Sequence, residues 1–197
     1  MNKTTIQVLL VEDSPSDANL FSHIFSRSSK GEWELVWVER LSDAISACSD
    51  LLFDVVLLDL RLPDSDGLDT IDRFRTAAPD IPIVVLTGSD DEDVAMQAMA
   101  KGAQDYLVKD QITIQVLMRA IRYAIGRGQI LKQLQESERR FRGIFEQTFQ
   151  LMMLLTPEGI VLEVNQNMIN VSGKKQDDFI GLQLGEIEIW NDSPETK

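Results

Sequence analysis

The chain has 197 residues, of which 44% are hydrophobic and 26% charged, and a net charge of −13. This composition belongs to a folded chain with room for one complete domain and part of a second, and it excludes a disordered or collagen-like polymer. The acidic balance argues against nucleic-acid binding, no apolar run approaches a membrane span, and the single Cys48 excludes an internal disulfide or a cysteine cluster for zinc. The start lacks the basic region and cleavage site of a leader, so a cytoplasmic protein is expected.

Apolar runs at Ile6 to Val11, Trp33 to Val38, Asp54 to Leu58, Ile81 to Leu86 and Asp105 to Val108 are each followed by a segment of helical length. Runs of Val, Ile and Leu without strict alternation suit strands covered on both faces. The repeated βα unit predicts an α/β, flavodoxin-like, doubly wound five-stranded parallel sheet in the order 2-1-3-4-5. Helix starts are expected at Ser14-Pro15, at Ser42 or Asp43, between Gly67 and Asp69, and between Ser89 and Asp93. Asp64 and Asp66 are expected in solvent, His23 as an inert helix residue, and Met96, Met99, Met152 and Met153 as core fillers.

After Gln111, the residues Ile114, Leu117, Ile121 and Ala124 or Ile125 make one helical face. Leu131, Leu134, Glu138, Phe141 and Phe145 continue that spacing beyond Gly126 and Gly128, which weaken the helix without ending it. Two apolar runs then flank the turn Thr156-Pro157-Glu158-Gly159, predicting a hairpin, and Asn165 to Val171 predicts a short helix stopped near Gly173. A further short helical pattern begins at Lys174, and the second domain reads as unfinished at Lys197.

Glu12 and Asp13 follow the first strand and Asp59 follows the third. With strands one and three flanking the point where strand order reverses, the three acids converge outside the carboxyl ends of the sheet. Clustered carboxylates repel one another unless a cation compensates, and a hard, oxygen-seeking ion such as Mg²⁺ suits them. Thr87 ends the fourth strand and Lys109 the fifth. Phosphoryl transfer needs an oriented nucleophile and positive charge around the moving oxygens. Asp59 is the nucleophile in this scheme, Lys109 and Mg²⁺ neutralise, Thr87 hydrogen-bonds, and the product is an aspartyl phosphate. Taken singly, Glu12-Asp13 also suits a helix entry, Thr87 a turn, Lys109 a solvated loop and Tyr106 the core.

The pieces VLLVEDSPSD (Val8 to Asp17), VVLLDLRLPDSDG (Val55 to Gly67), IVVLTG (Ile83 to Gly88) and KGAQDYLVKD (Lys101 to Asp110) resemble the response-regulator receiver family in order and spacing. The resemblance implies transfer from the phosphohistidine of a partner histidine kinase or phosphotransfer protein to Asp59. It implies Mg²⁺ held by Asp13, Asp59 and the main-chain carbonyl of Arg61, with Glu12 acting partly through water. It also implies that Thr87 and Tyr106 rearrange together as a switch. Asp110 stands where the family usually has proline, often with a cis bond, and this puts the placement of Lys109 in question.

From about residue 138 the sequence resembles the opening of a PAS sensor domain, through its entry helix, hairpin and Asn-rich helix. No His or Cys in that stretch serves a haem iron or a flavin adduct, so no sensor cofactor is expected. The expected division is a receiver domain at 1–128, a signalling helix at 129–142 and a partial α+β PAS domain at 143–197. Alternatives are the regulatory front of a longer hybrid histidine kinase or nucleotide cyclase, and a receiver-like scaffold that is not phosphorylated. The helix from about Ile112 through Phe145 either pairs with a second copy as a homodimer or packs its two halves on the two domains.

Overall fold

The computed structural model describes residues 5–28, 31–88 and 92–187, which fall into two compact units, Met1–Lys132 and Gln133–Lys197. In the first unit the strands are β1 (Ile6–Val11), β2 (Trp33–Val38), β3 (Val55–Asp59), a two-residue pair β4 (Arg61–Leu62) and β5 (Ser65–Asp66), then β6 (Ile83–Thr87) and β7 (Asp105–Val108). The parallel sheet runs β2-β1-β3-β6-β7, which is the expected 2-1-3-4-5 order once the small antiparallel β4-β5 ladder is set aside. Register places Val8 beside Val55, Leu57 beside Val84 and Leu86 beside Leu107.

Because successive side chains on a strand point to opposite faces, each apolar run serves two cores. Val8, Leu10, Val55, Leu57, Val84 and Leu86 pack with Phe21 and Ile24 of α1 (Pro15–Arg27) and with Leu117 and Ile121 of the helix that starts at Ile114. Leu9, Val11, Val56, Leu58, Ile83 and Val85 pack with α2 (Leu41–Asp50), α3 (Asp69–Ala77) and α4 (Glu92–Ala100) through Leu41, Ile71, Phe74 and Ala98. Burial on both faces explains why the strands show no polar alternation. Truncating one of these leucines to alanine costs about 2–5 kcal/mol.

Helix ends follow local chemistry in part. Ser14 caps α1 as expected, its hydroxyl accepting from the N–H of Asp17 at 3.3 Å, with Pro15 in the first turn. At α2 neither Ser42 nor Asp43 is the cap. Arg40 holds the cap position without a side-chain bond, and Asp64 accepts from the N–H groups of Leu41 and Ser42, at 2.9 Å each, from the β4-β5 turn. Asp64 is therefore engaged rather than simply solvated. The third helix opens at Asp69 with Leu68 at its cap position. The proposed cap of α4 at Ser89 lies outside the described residues. Met96 is 70% exposed on α4, whereas Met99 of the same helix packs on the core. His23 is exposed on α1, and Cys48 is partly buried against the core, which pushes its thiol pKa up.

The helix α5 (Ile114–Gln147), which begins in the first unit, runs unbroken through Gly126 and Gly128. Gly128 has a packing reason to lack a side chain, since a Cβ there would sit 3.3 Å from Cγ of Pro82. None of the helices among the described residues is long and apolar enough to cross a membrane.

In the second unit β8 (Met153–Leu155) and β9 (Val161–Val164) form the expected antiparallel hairpin. Its turn closes with the Gly159 N–H on the Thr156 carbonyl at 2.9 Å. Val161, Val164, Met168 and Phe179 form its small core. The helix α6 (Gln166–Ser172) starts at Asn165 and ends at Gly173, whose φ of 67° is the left-handed conformation favoured at a helix stop. The fully buried Asn165 side chain accepts from the N–H groups of Met152 and Met168 and donates to the carbonyls of Phe145 and Gln150.

Candidate acidic site at the strand ends

The pairing of β1 with β3 sets the site. Val11 lies beside Leu58, so the residues that follow each strand emerge side by side. The carboxylates of Glu12, Asp13 and Asp59 consequently offer oxygens that all lie within 4.8 Å of one another. Glu12 and Asp59 are buried and Asp13 is exposed.

Glu12 is tied down along its whole length. Its N–H donates to Val38 at 3.0 Å, its carbonyl accepts from Trp37 Nε1 at 2.8 Å, and its Oε1 accepts from the Ser14 N–H at 3.2 Å. Its Oε2 lies 2.7 Å from Lys109 Nζ, an ion-pair contact without the alignment of a hydrogen bond. Burial pushes the Glu12 carboxyl up to about 7; the Lys109 ammonium opposes this and the negative charge of Asp59 adds to it.

Lys109 reaches the cluster from the end of β7. Its Nζ is 2.6 Å from Asp59 Oδ2 and 3.0 Å from Asp17 Oδ2. Burial disfavours its charge, but the carboxylates of Asp59 and Glu12, and then Asp17, outweigh that and raise its pKa. Asp110, exposed in the tight turn Lys109–Gln111, does not displace Lys109, and the described backbone holds no cis peptide. The third carboxylate on this lysine, beside Asp59 and Glu12, is thus Asp17, on the first turn of α1, rather than Asp110. Sequence reasoning missed it, because its partner is far away in the chain.

Asp59 Oδ1 accepts from the Arg61 N–H at 2.9 Å, which fixes one oxygen of the carboxylate. A cavity of about 290 Å³ opens beside it, lined by Asp59, Arg61, Thr87 and Lys109 among others. Thr87 is buried at the end of β6, next to Val108 in register. Tyr106 is half-buried on β7, packs on the core, and shares with Thr87 a second groove of about 490 Å³.

The geometry fits a cation. Three acidic side chains, Glu12, Asp13 and Asp59, bring their oxygens together, and a buried Glu12 oxygen has no aligned donor among the described residues. Oxygen-only donors of this kind suit a hard divalent ion.

Comparison with known proteins agrees with the fold. The chain is 29% identical over 171 residues to the swarming motility regulation protein RssB of Serratia marcescens, covering 86% of this chain and 70% of that protein. It is 42% identical over 67 residues to the luminescence regulatory protein LuxO of Vibrio campbellii, and there spans only 15% of that protein's length. Among solved structures, the signal receiver domain of a LuxO repressor protein from Vibrio parahaemolyticus matches with TM-score 0.57 and 28% identity, over 66% of this chain and 97% of that one. A response regulator receiver domain from Clostridium thermocellum matches with TM-score 0.56 and 26% identity, over 64% of this chain and 98% of that one. The family model of the response regulator receiver domain matches residues 8–122, more than half of the 197. The chain belongs to the response regulator receiver family, whose members work in two-component phosphorelay signalling with histidine kinases or phosphotransfer proteins.

Proposed function

We propose that Asp59 is the phosphoacceptor of a Mg²⁺-dependent reaction, taking its phosphoryl group in the cytoplasm from the phosphohistidine of a histidine kinase or phosphotransfer protein. The observation that carries this is the 2.6 Å contact between Asp59 Oδ2 and Lys109 Nζ at the wall of a cavity shared with Thr87. An Asp59 oxygen forms a bond to phosphorus as the P–N bond of the donor breaks, and the leaving imidazole keeps that electron pair and takes a proton from solvent. Lys109 supplies positive charge to the moving oxygens, and the Thr87 hydroxyl is available to donate to one of them. The Arg61 N–H orients the carboxylate. Glu12, Asp13, Asp59 and the main-chain carbonyl of Arg61 would hold Mg²⁺, which supplies further neutralising charge. Thr87 and Tyr106, which line one groove, form the switch that reads the phosphorylated state.

The rear unit is the opening of a PAS-type sensor domain, supported by its hairpin and the α6 helix that follows. Residues 1–128 then form the receiver, 129–142 the signalling helix and 143–197 the sensor part. On α5, Ile130, Leu134, Phe141 and Ile144 are all exposed at steps of four, seven and three residues, the spacing of a coiled-coil seam. This supports a homodimer through the linker helix. A place at the front of a longer hybrid histidine kinase or nucleotide cyclase suits the same parts. A receiver-like scaffold without phosphorylation is the less favoured reading, because the acids, threonine and lysine are all in place.

The test is incubation with Mg²⁺ and a small phosphodonor such as acetyl phosphate, followed by intact mass and peptide mapping. Wild type is expected to gain one phosphoryl group on Asp59, and Asp59→Asn none. Equal labelling of the two proteins overturns the assignment.

A further inference from the structure

Lysine carries three ammonium protons and no acceptor. In this structure the Lys109 ammonium donates to Asp59 Oδ2 at 2.6 Å and to Asp17 Oδ2 at 3.0 Å, and lies 2.7 Å from Glu12 Oε2 as an ion pair. Two of the three acids belong to the oxygen cluster suited to a cation, and Asp17 does not. Asp17 approaches Lys109 from α1, on a backbone fixed by its own N–H to the Ser14 hydroxyl at 3.3 Å. Its side chain is 35% exposed, so its charge is only partly desolvated by the contact.

We propose that Asp17 is a positioning residue that holds the Lys109 ammonium toward α1 and thereby restrains phosphorylation of Asp59. Before transfer, the ammonium is shared among three anions. When a phosphoryl group arrives, its oxygens need that ammonium, and Asp17 competes with them for it. Asp17 thus sets how much of the lysine's charge reaches the transferring group. The proposal rests on Asp59 being the phosphoacceptor, and deepens that reading by naming what limits the rate at this site.

Three observations on the full chain test it. First, in metal-free protein, the Lys109 ammonium protons should exchange about twofold to fivefold faster in Asp17→Asn than in wild type by NMR, the scale of a part-exposed ion pair. Second, the rate constant for phosphorylation by acetyl phosphate should rise by about the same factor in Asp17→Asn. Asp17→Glu, which keeps the charge, should return it toward wild type. Third, in a Lys109→Met background, where labelling is followed by intact mass at high donor concentration, Asp17→Asn should change the rate no further.

Thermal unfolding of each variant separates loss of fold from loss of positioning, and Asp17→Glu retains the acid in the first turn of α1. An unchanged ammonium and unchanged rate in Asp17→Asn overturn the proposal. A rate gain that persists without Lys109 also overturns it, because Asp17 would then act on the anionic donor directly. Absence of labelling on Asp59 in wild type defeats the phosphoacceptor reading instead, and the ammonium exchange of the metal-free protein still tests the Asp17–Lys109 contact.

Discussion

Asp64 caps a helix that begins far behind it in the chain: its two carboxylate oxygens accept from the N–H groups of Leu41 and Ser42, at 2.9 Å each. The same residue's carbonyl accepts from Arg73 of α3 at 2.9 Å, so one aspartate in the β4-β5 turn joins the start of α2 to the middle of α3 in the loop that follows Asp59. Replacing it with alanine should cost about 1 kcal/mol of stability, the usual loss for a helix cap, read from the urea midpoint. Burial works against its charge, but the two N–H groups prevail and hold its pKa below the ordinary value of 3.8. A depressed carboxylate contributes stability above its unfolded-state pKa and loses it as pH falls through the folded value. Wild type should therefore lose its advantage over Asp64→Asn in that acidic window, and parallel stability curves from neutral to acid pH would remove Asp64 as the cause.

Magnesium should stabilise the metal-free protein by mass action, by about 2.7 kcal/mol at one hundred times its dissociation constant. Asp13 is exposed, so Asp13→Ala tests its part in binding without opening the core. The variant should show little or none of the rise in unfolding temperature that MgCl₂ gives wild type. An equal rise in both removes Asp13 from the set of ligands.

Gly126 and Gly128 should respond differently to alanine. Nothing lies within 4 Å of a Cβ at Gly126, so Gly126→Ala should stabilise α5 by about 1 kcal/mol, the helix-propensity difference. At Gly128 the new methyl meets Pro82 Cγ at 3.3 Å, and that crowding should consume much of the same gain. Thermal unfolding of the two variants measures the contrast, and identical gains would show that Pro82 yields freely.

Leu134 is 63% exposed on the stripe proposed to pair two copies through α5. The 197-residue chain should sediment as a dimer at tens of micromolar, and Leu134→Glu with Phe141→Glu should sediment as a monomer. A monomeric wild type, with and without phosphodonor, removes the homodimer.

The parts legible in the sequence are those whose cause is local. Val55 to Leu58 announce a strand covered on both faces because consecutive residues feed two different cores. Ser14 announces a helix start because the hydroxyl and the N–H that it caps are three residues apart. The convergence of Glu12, Asp13 and Asp59 follows from strand order, which the repeated βα pattern and the family resemblance supply together. Asp64 and Asp17 were not legible as a cap and as a lysine partner. Their partners are 23 and 92 residues away along the chain, and short polar side chains give no periodic signal for such distant pairing. Met96 failed for a different reason: α4 buries Ala95, Ala98 and part of Met99, and the intervening position turns outward whatever its hydrophobicity.

The buried amide of Asn165 has a consequence for which sequences can occupy that position. Its oxygen serves two N–H groups and its nitrogen two carbonyls, from three separate stretches of backbone. Aspartate matches its size but supplies no protons, and would set a negative charge against the carbonyls of Phe145 and Gln150. Leucine fills a similar space but gives up all four side-chain hydrogen bonds. Glutamine has the right chemistry on a chain one methylene too long for a fully enclosed site. Serine and threonine reach only part of the set. The junction of β9 and α6 is accordingly closed to gradual change: no single substitution reproduces two donors and two acceptors at this reach, and divergence there requires the surrounding turns to be rebuilt at the same time.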